Sequence, residues 1–358
     1  MESKYSGTNE RMRDALARVA PGTPLRSGID RVVRAQAGAL LVLDDGSDVL
    51  SICSGGFLVD APYSPQRLSE LAKMDGAIII SSDGDRIARA NVHLVPDPSV
   101  PTSETGTRHR TAERVARSLS VPVVSASEEM GVINVYAGGS KRQLQEVGHL
   151  LDRANQALQT LERYKVRLDD SILNLTAVEV EDVVTLRDVV AVIQRGEMVH
   201  RIADEIETMI IELGVEARLL RLQIDELYGE IDDELDLVLA DYIPTDRTIG
   251  ETLEEMSQLS DDEVLNPRLA AATLYPKRKI QDLGHEVSPK GLRLLHRVTR
   301  LPPDTAGTVS DHFGGLAKLQ RATFDDLMLV DGIDESTARS IRETLTRVTE
   351  STILDQYS

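Results

Sequence analysis

Between residues 147 and 175 the side chains Val147, Leu151, Ala154, Leu158, Leu161, Leu168, Ile172 and Leu175 recur at alternating spacings of four and three, with Lys165 the single polar interruption. A repeat of this period predicts one long helix with a continuous apolar seam. Such a seam needs a partner helix, from the same chain or from a second copy, and the spacing does not choose between them. It divides the chain into stretches of different texture, and 358 residues are enough for two or three domains.

Ahead of the seam, residues 1–140 read as α/β. Helical patterns over 10–19, 29–36, 65–73 and 110–119 alternate with Val- and Ile-rich runs of strand length over 39–43, 49–52, 77–80, 87–95, 121–125 and 132–136. Asp83-Gly84 between two of these runs is a hairpin signal, and Gly138-Gly139-Ser140 is read as closing the domain. The expected fold is a mixed sheet flanked by helices. Residues 141–284, with further helical patterns over 199–212, 216–227 and 233–242, read as an all-helical linker or spine. Residues 285–358 begin with a basic helix over 291–298, broken by Leu301-Pro302-Pro303. Two apolar stretches turned at glycine follow, Phe313-Gly314-Gly315-Leu316 and Leu329-Val330-Asp331-Gly332-Ile333. A last helix over 335–349 carries Ala338, Ile341 and Leu345 on one face. Short helix, glycine turn and helix, twice over, outline a C-terminal tandem helix-hairpin-helix domain.

Charge and cysteine usage narrow the function. Cys53 is the only cysteine, so the chain can form neither an internal disulfide nor a thiolate zinc site. Residues 1–13 are polar, and no run of about 18 apolar residues is present, so neither a secretory leader nor a membrane span is expected and the cytoplasm is the expected location. The net charge of −19 opposes nucleic acid as a whole. Its distribution does not, because residues 229–264 sum to −12 while residues 276–300 sum to +5. Lys277, Arg278, Lys279, Arg293, Arg297 and Arg300, with Lys318 further on, are the candidate DNA contacts; a merely solvated basic face is the other reading.

Three short strings carry the chemistry. Asp75-Gly76-Ala77 runs directly into the apolar run Ile78-Ile79-Ile80. A carboxylate there, beside a glycine that admits close backbone approach, can hold a divalent cation such as Mg2+ or Mn2+ and help activate a ribose hydroxyl; a turn feeding a buried strand explains the same tripeptide. Gly106-Thr107-Arg108-His109-Arg110-Thr111 opens a helix with three basic or potentially basic residues. Helix starts favour acids, so this arrangement points to a bound anion such as phosphate. Ser125-Ala126-Ser127-Glu128-Glu129 follows a predicted strand, where Ser127 can donate to phosphate and Glu128 or Glu129 can join Asp75 on a metal. The alternative there is an N-cap followed by acids.

The pairing of Asp75-Gly76-Ala77 with Arg108-His109-Arg110 resembles the diadenylate cyclase domain. The stretch from Ile211-Glu212-Leu213-Gly214 to Asp241-Tyr242 and the C-terminal hairpins extend the resemblance over nearly the whole chain, to the DisA family of DNA integrity scanning proteins. The resemblance implies condensation of two ATP into cyclic di-AMP and two pyrophosphates by two facing domains, and therefore a homo-oligomer, an octamer in the family. It implies that Asp75 binds the metal and activates the 3′-hydroxyl. Gly76 and Ala77 would line the nucleotide, and the Leu94 backbone would meet the adenine edge. Arg108, His109 and Arg110, with Thr107, Thr111 and Ser127, would hold phosphates, and Glu129 is a further metal candidate. Ser127-Glu128-Glu129 looks more like the membrane-tethered cyclases of the wider family. The C-terminal hairpins, with Gly332, imply non-sequence-specific binding of branched DNA that lowers synthesis; a helical protein-interaction module is the other reading of the same hairpins. Gly332-Ile333-Asp334 departs from the usual Gly-x-Gly, and a first hairpin placed over 301–307 has two prolines and an aspartate. The rival reading is a DNA-binding scaffold that senses ATP without turning it over. A strand-cutting or strand-joining repair enzyme is disfavoured, because neither a nucleophilic lysine motif nor a nuclease-like acidic cluster is visible.

Overall fold

The computed structural model describes residues 7–128, 130–229, 231–277, 282–299 and 301–356. The chain forms two compact units, one within Met1–Gln156 and Glu205–Gln223, the other within Ala157–Asp204 and Ile224–Ser358.

The first unit opens with α1 (Gly7–Arg18) and α2 (Pro24–Arg34). Thr23 caps α2, its side chain accepting from the Arg26 N–H at 3.1 Å, and Pro24 occupies the first turn, where its missing N–H is no loss. Then come β1 (Ala39–Val42), α3 (Ser47–Ser51), β2 (Cys53–Ser54), β3 (Phe57–Pro62), α4 (Pro65–Leu71), β4 (Ala77–Ile80) and β5 (Arg86–Leu94). The unit continues with α5 (Thr107–Leu119), β6 (Val123–Ala126), β7 (Ile133–Ala137) and β8 (Ser140–Gln143). The eight strands form one sheet in the order β2-β5-β4-β1-β6-β7-β8, with β3 also on β5. Only β1 and β4 are parallel, so the sheet is mixed.

Alternation along the strands feeds two apolar layers. Leu41, Ile78, Ile80, Val124 and Val135 pack with α1, α2 and α4, while Leu40, Val42, Ile79 and Val123 pack with α3 and α5. The expectation of a mixed sheet flanked by helices therefore holds. Each fully buried isoleucine, such as Ile79 or Ile80, contributes about 1.5–3 kcal/mol over leaving it in water.

Three local expectations are corrected. Residues 49–52 are not a strand: most of the run belongs to α3, whose first turn holds Asp48 and which buries only Val49. Gly138-Gly139 does not close the domain. Both have positive φ (54° and 76°) and make the two-residue turn that pairs Ala137 with Ser140 and adds β8. Strands β3 and β8 escaped the apolar pattern because neither buries a residue fully.

The helical region starts with α6 (Val147–Val180) and α7 (Leu186–Leu213), which contribute residues to both units. The seam on α6 is real: Leu158, Leu161, Leu168, Ile172 and Leu175 are buried, and Lys165 is satisfied by Asp169 at 2.9 Å. At its start the buried position is Leu150 rather than Leu151. A short 3-10 turn (Gly214–Ala217) leads into α8 (Arg218–Tyr228), followed by α9 (Ile231–Tyr242), α10 (Ile249–Ser257), α11 (Asp261–Val264) and α12 (Pro267–Leu274).

Five helices follow among the described residues: α13 (Leu292–His296), α14 (Pro303–Phe313), α15 (Leu316–Arg321), α16 (Phe324–Leu327) and α17 (Glu335–Gln356). They share a core that includes Leu295, Val309, Leu319, Leu327 and Ile341. Residues 303–307 are not part of a hairpin but the first turns of α14, because Pro303 has the backbone angle a helix start requires. The turns fall at Gly314-Gly315 and around Gly332 instead.

Candidate active site

Strand register brings the predicted residues to one rim of the sheet. Leu41 pairs with Ile78 in the parallel pair, so Gly38, before β1, and Asp75-Gly76, before β4, lie at the same end. Ala39 pairs with Ala126, which puts Ser127 at that rim, and Ala77 pairs with Val92, which puts Leu94 there. The rim is thus the amino end of the parallel pair and the carboxyl end of β5 and β6. Placing the site at carboxyl ends throughout would have missed Asp75.

Helix α5 starts over this rim. Gly106 caps it without any side-chain hydrogen bond, and its first turn holds no acid. The positive end of the helix dipole, Arg108 and Arg110 thus gather uncompensated positive charge at this helix start, beside His109, an arrangement suited to an anion. The Arg108 guanidinium lies against Gly38, where a Cβ would sit 2.1 Å from Nη1. Its ion pair with Glu128 is long, 3.4 Å, and joins a half-buried guanidinium to an exposed carboxylate, so it holds Arg108 weakly. Arg110 and Thr107 are exposed, and Thr111 and Ser127 half-buried. The Ser127 hydroxyl accepts from the Met130 N–H at 3.3 Å.

His109 is anchored rather than free, and its anchors were not foreseen. Its Nδ1 lies 2.8 Å from Ser125 Oγ and 3.1 Å from the Tyr136 hydroxyl. Tyr136 donates to Glu104 Oε1 at 3.2 Å, and Lys141 holds the same carboxylate oxygen at 2.6 Å. Burial pushes the His109 pKa below the usual imidazole value, Lys141 and Arg108 push the same way, and Glu104 opposes them. The signal in the sequence was positional: Ser125 and Tyr136 alternate with Val124 and Val135, which face the opposite apolar layer.

Asp75 is exposed, and no hydrogen bond or ion pair holds its carboxylate among the described residues. Gly76 has φ +97°, and a Cβ there would meet the Asn91 and Val92 backbone at 2.9 Å. Strand β5 approaches Gly76 closely on the side a Cβ would occupy, so the fold itself requires a glycine here. Ala77 is buried in the α5-side layer. The Val95 N–H donates to the Ile52 carbonyl at 2.9 Å, so Cys53 and Leu94 form a non-hydrogen-bonded pair. The Leu94 N–H and C=O consequently point away from β2.

A metal fit can be tested on the donor set. The described residues contain no group of three or more His, Cys, Asp or Glu able to hold an ion. A lone free carboxylate beside a cationic helix start suits Mg2+ or Mn2+, which takes one or two carboxylates and completes its shell from phosphate and water. Glu129 lies outside the described residues, as do Arg278, Lys279 and Arg300.

The remaining candidate DNA contacts divide. Arg293 is 2% exposed and makes a buried ion pair with Glu179, with further bonds to Thr176 at 3.1 Å. It is structural, which corrects its place among the DNA contacts. Arg297 and Lys318 are exposed, and Lys277 is exposed but paired with Asp246 at 2.5 Å. Gly332 has φ +82°. Two residues on, the Asp334 carboxylate accepts from the Thr337 N–H at 2.7 Å and the Ser336 hydroxyl at 2.9 Å. The N–H at this helix start is thereby satisfied from within the chain. No helix among the described residues is long and apolar enough to cross a membrane.

Comparison with known proteins places this geometry in a family. Residues 26–141 match the family described as "DisA bacterial checkpoint controller nucleotide-binding", and residues 144–281 match "DisA bacterial checkpoint controller linker region". The DNA integrity scanning protein DisA of Streptomyces coelicolor is 49% identical over 98% of this chain and 96% of its own length. The proteins of the same name from Frankia alni and Kineococcus radiotolerans are each 49% identical, over 96% and 98% of this chain and 97% and 98% of their own lengths. The chain belongs to the DisA family of DNA integrity scanning proteins, and the rim described above lies within its nucleotide-binding domain.

Proposed function

We propose that the chain is a diadenylate cyclase that condenses two ATP into cyclic di-AMP and two pyrophosphates. The observation that carries this reading is the gathering of the free Asp75 carboxylate and the uncapped, cationic start of α5 at one rim of the sheet. One rim holds one nucleotide, so two domains face each other. Each 3′-hydroxyl gives up its proton to solvent as its oxygen bonds to the α-phosphorus of the opposite ATP, the α–β bridge breaks, and pyrophosphate leaves with its charge neutralised by cations. Arg108, His109, Arg110, Thr107, Thr111 and Ser127 hold the phosphates, and the Leu94 backbone meets the adenine edge. Asp75, with Glu129, holds Mg2+ or Mn2+, which when bound lowers the pKa of the 3′-hydroxyl and offsets phosphate charge.

The requirement for facing domains makes a homo-oligomer part of the chemistry, and an octamer is the proposed assembly, in the cytoplasm. The proposed domain division is catalytic up to the end of β8 at Gln143, linker from there to 284 and DNA-binding helix-hairpin-helix over 285–358. Branched DNA binds without sequence preference, through Lys277, Arg278 and Lys279 at the end of the linker and through Arg297, Arg300, Lys318 and the turn at Gly332 in the last domain, and lowers synthesis.

The decisive experiment is product identification by mass spectrometry after incubation with ATP and Mg2+ or Mn2+. Cyclic di-AMP is the expected product, and Asp75→Asn should reduce its formation by at least about 100-fold with the assembly intact. Nucleotide that is bound but never turned over would instead make the protein an ATP-sensing scaffold.

A further inference from the structure

The proposed function gives His109 a phosphate to bind but leaves open which ring nitrogen meets it and how the ring is held. Around Nδ1 the structure places Ser125 Oγ at 2.8 Å, Tyr136 Oη at 3.1 Å and Asn134 Nδ2 at 3.5 Å. All three belong to the face of β6 and β7 that α5 covers, and Tyr136 is 1% exposed. The ring is therefore pinned through Nδ1 against the sheet.

The hydroxyl of Tyr136 has one proton, and its direction is fixed by its neighbours. Burial pushes the phenol pKa up, so the proton stays on. Glu104 Oε1, ionic with Lys141 at 2.6 Å, accepts that proton at 3.2 Å. With its proton committed to Glu104, Tyr136 Oη offers only lone pairs to His109. The complement is a proton on Nδ1, with Ser125 Oγ as a second acceptor, and the Asn134 amide fits it when turned so that Oδ1, otherwise buried without a partner, faces Nδ1 in place of the donor Nδ2. The charged groups around the ring are Glu104 from the segment before α5, Arg108 on α5 itself and Lys141 at β8.

We propose that Tyr136, oriented by Glu104, is a positioning residue that fixes the His109 proton on Nδ1 and so presents Nε2 to the nucleotide triphosphate. This deepens the cyclase reading and rests on it for the identity of the ligand. The neutral ring of the ligand-free site carries a lone pair, not a proton, on Nε2. A triphosphate oxygen at Nε2 then requires a second proton on the ring, and nucleotide binding takes that proton up from solvent. Glu104, through Tyr136, stabilises the imidazolium so formed. The device is the reverse of a pre-charged site: the cation is completed by its ligand.

The test uses the full-length protein with 15N-labelled histidine, and the His109 resonance is assigned by its loss in His109→Gln. At pH 7.5 the free wild type should show a protonated Nδ1 and a bare Nε2. Adding 3′-deoxy-ATP with Mg2+, which binds but has no attacking hydroxyl, should protonate Nε2. Tyr136→Phe, which preserves the buried ring, should erase the Nδ1 preference and raise KM for ATP about tenfold, with the acid limb of the kcat/KM profile displaced. Glu104→Gln should reproduce the tautomer change. A free wild type protonated at Nε2, or a Tyr136→Phe variant with unaltered tautomer and KM, would overturn the proposal. The spectra of the free protein need no turnover, so a wild type that makes no cyclic di-AMP overturns the cyclase reading while the tautomer result stands on its own.

Discussion

Two charged clusters, one in each unit, use the same residue types to opposite ends. At the sheet rim, Arg108 rests on Gly38 with a long, exposed contact to Glu128, and Asp75 is free. In the helical unit, Arg293 is sealed against Glu179 and Thr176, Tyr242 donates to the same glutamate at 2.6 Å, and Asp241 accepts the Leu292 and Arg293 N–H groups at 2.6 and 3.1 Å. The first cluster leaves its charges short of partners and is therefore available to a ligand. The second satisfies nearly all of them (Arg293 Nε is the one atom left without a partner) and ties α6, α9 and α13 together. Charge alone does not mark a binding residue; unfinished pairing does. Arg293 and Arg108 look alike in the sequence and differ in burial and in how fully they are paired.

The comparison can be broken by variants that move stability in one cluster and binding in the other. Arg293→Met strands the Glu179 carboxylate in the interior, and should cost about 3–5 kcal/mol in chemical denaturation. Adding Glu179→Gln should recover much of that loss; if the single variant is as stable as wild type, the cluster is not structural. Gly38→Ala should do the reverse. The added methyl meets only the far end of a flexible side chain, so stability should change by less than about 1 kcal/mol, while displacement of Arg108 should raise KM for ATP about fivefold. An unchanged KM would detach Gly38 from the site.

A smaller effect concerns pH. Burial pushes Asp241 up to about 6, with Glu179 adding to the rise and the Arg293 and Leu292 N–H groups opposing it. A carboxyl whose folded pKa exceeds its unfolded one stabilises the native state fully below the unfolded value, and that contribution is lost as pH rises through about 6. Wild type should therefore gain about 1 kcal/mol on Asp241→Asn between about pH 7.5 and about pH 5. A difference in thermal midpoint that does not vary with pH would mean that Asp241 titrates normally.

Much of this was legible in the residues themselves. The seam on α6, the strands around Ile78-Ile79-Ile80 and the basic start of α5 follow from periodicity and from the rule that helix starts avoid cations. Strands β3 and β8 were not legible, because an edge strand that buries no residue fully has no apolar alternation to read. The anchors of His109 were hidden for another reason. Ser125, Tyr136 and Glu104 are far apart in sequence, and only strand pairing and the docking of α5 bring them to one imidazole. Arg293 was misassigned because a basic run says nothing about which of its members turns inward.

The bare backbone at Gly38 has a consequence for how this domain can drift over evolutionary time. The room it leaves is filled by a guanidinium from a helix about seventy positions downstream. Neither position is at liberty to change alone: a bulkier residue at 38 evicts the arginine, and a shorter one at 108 opens a hole above the glycine. Across related chains the two should be inherited as a linked pair.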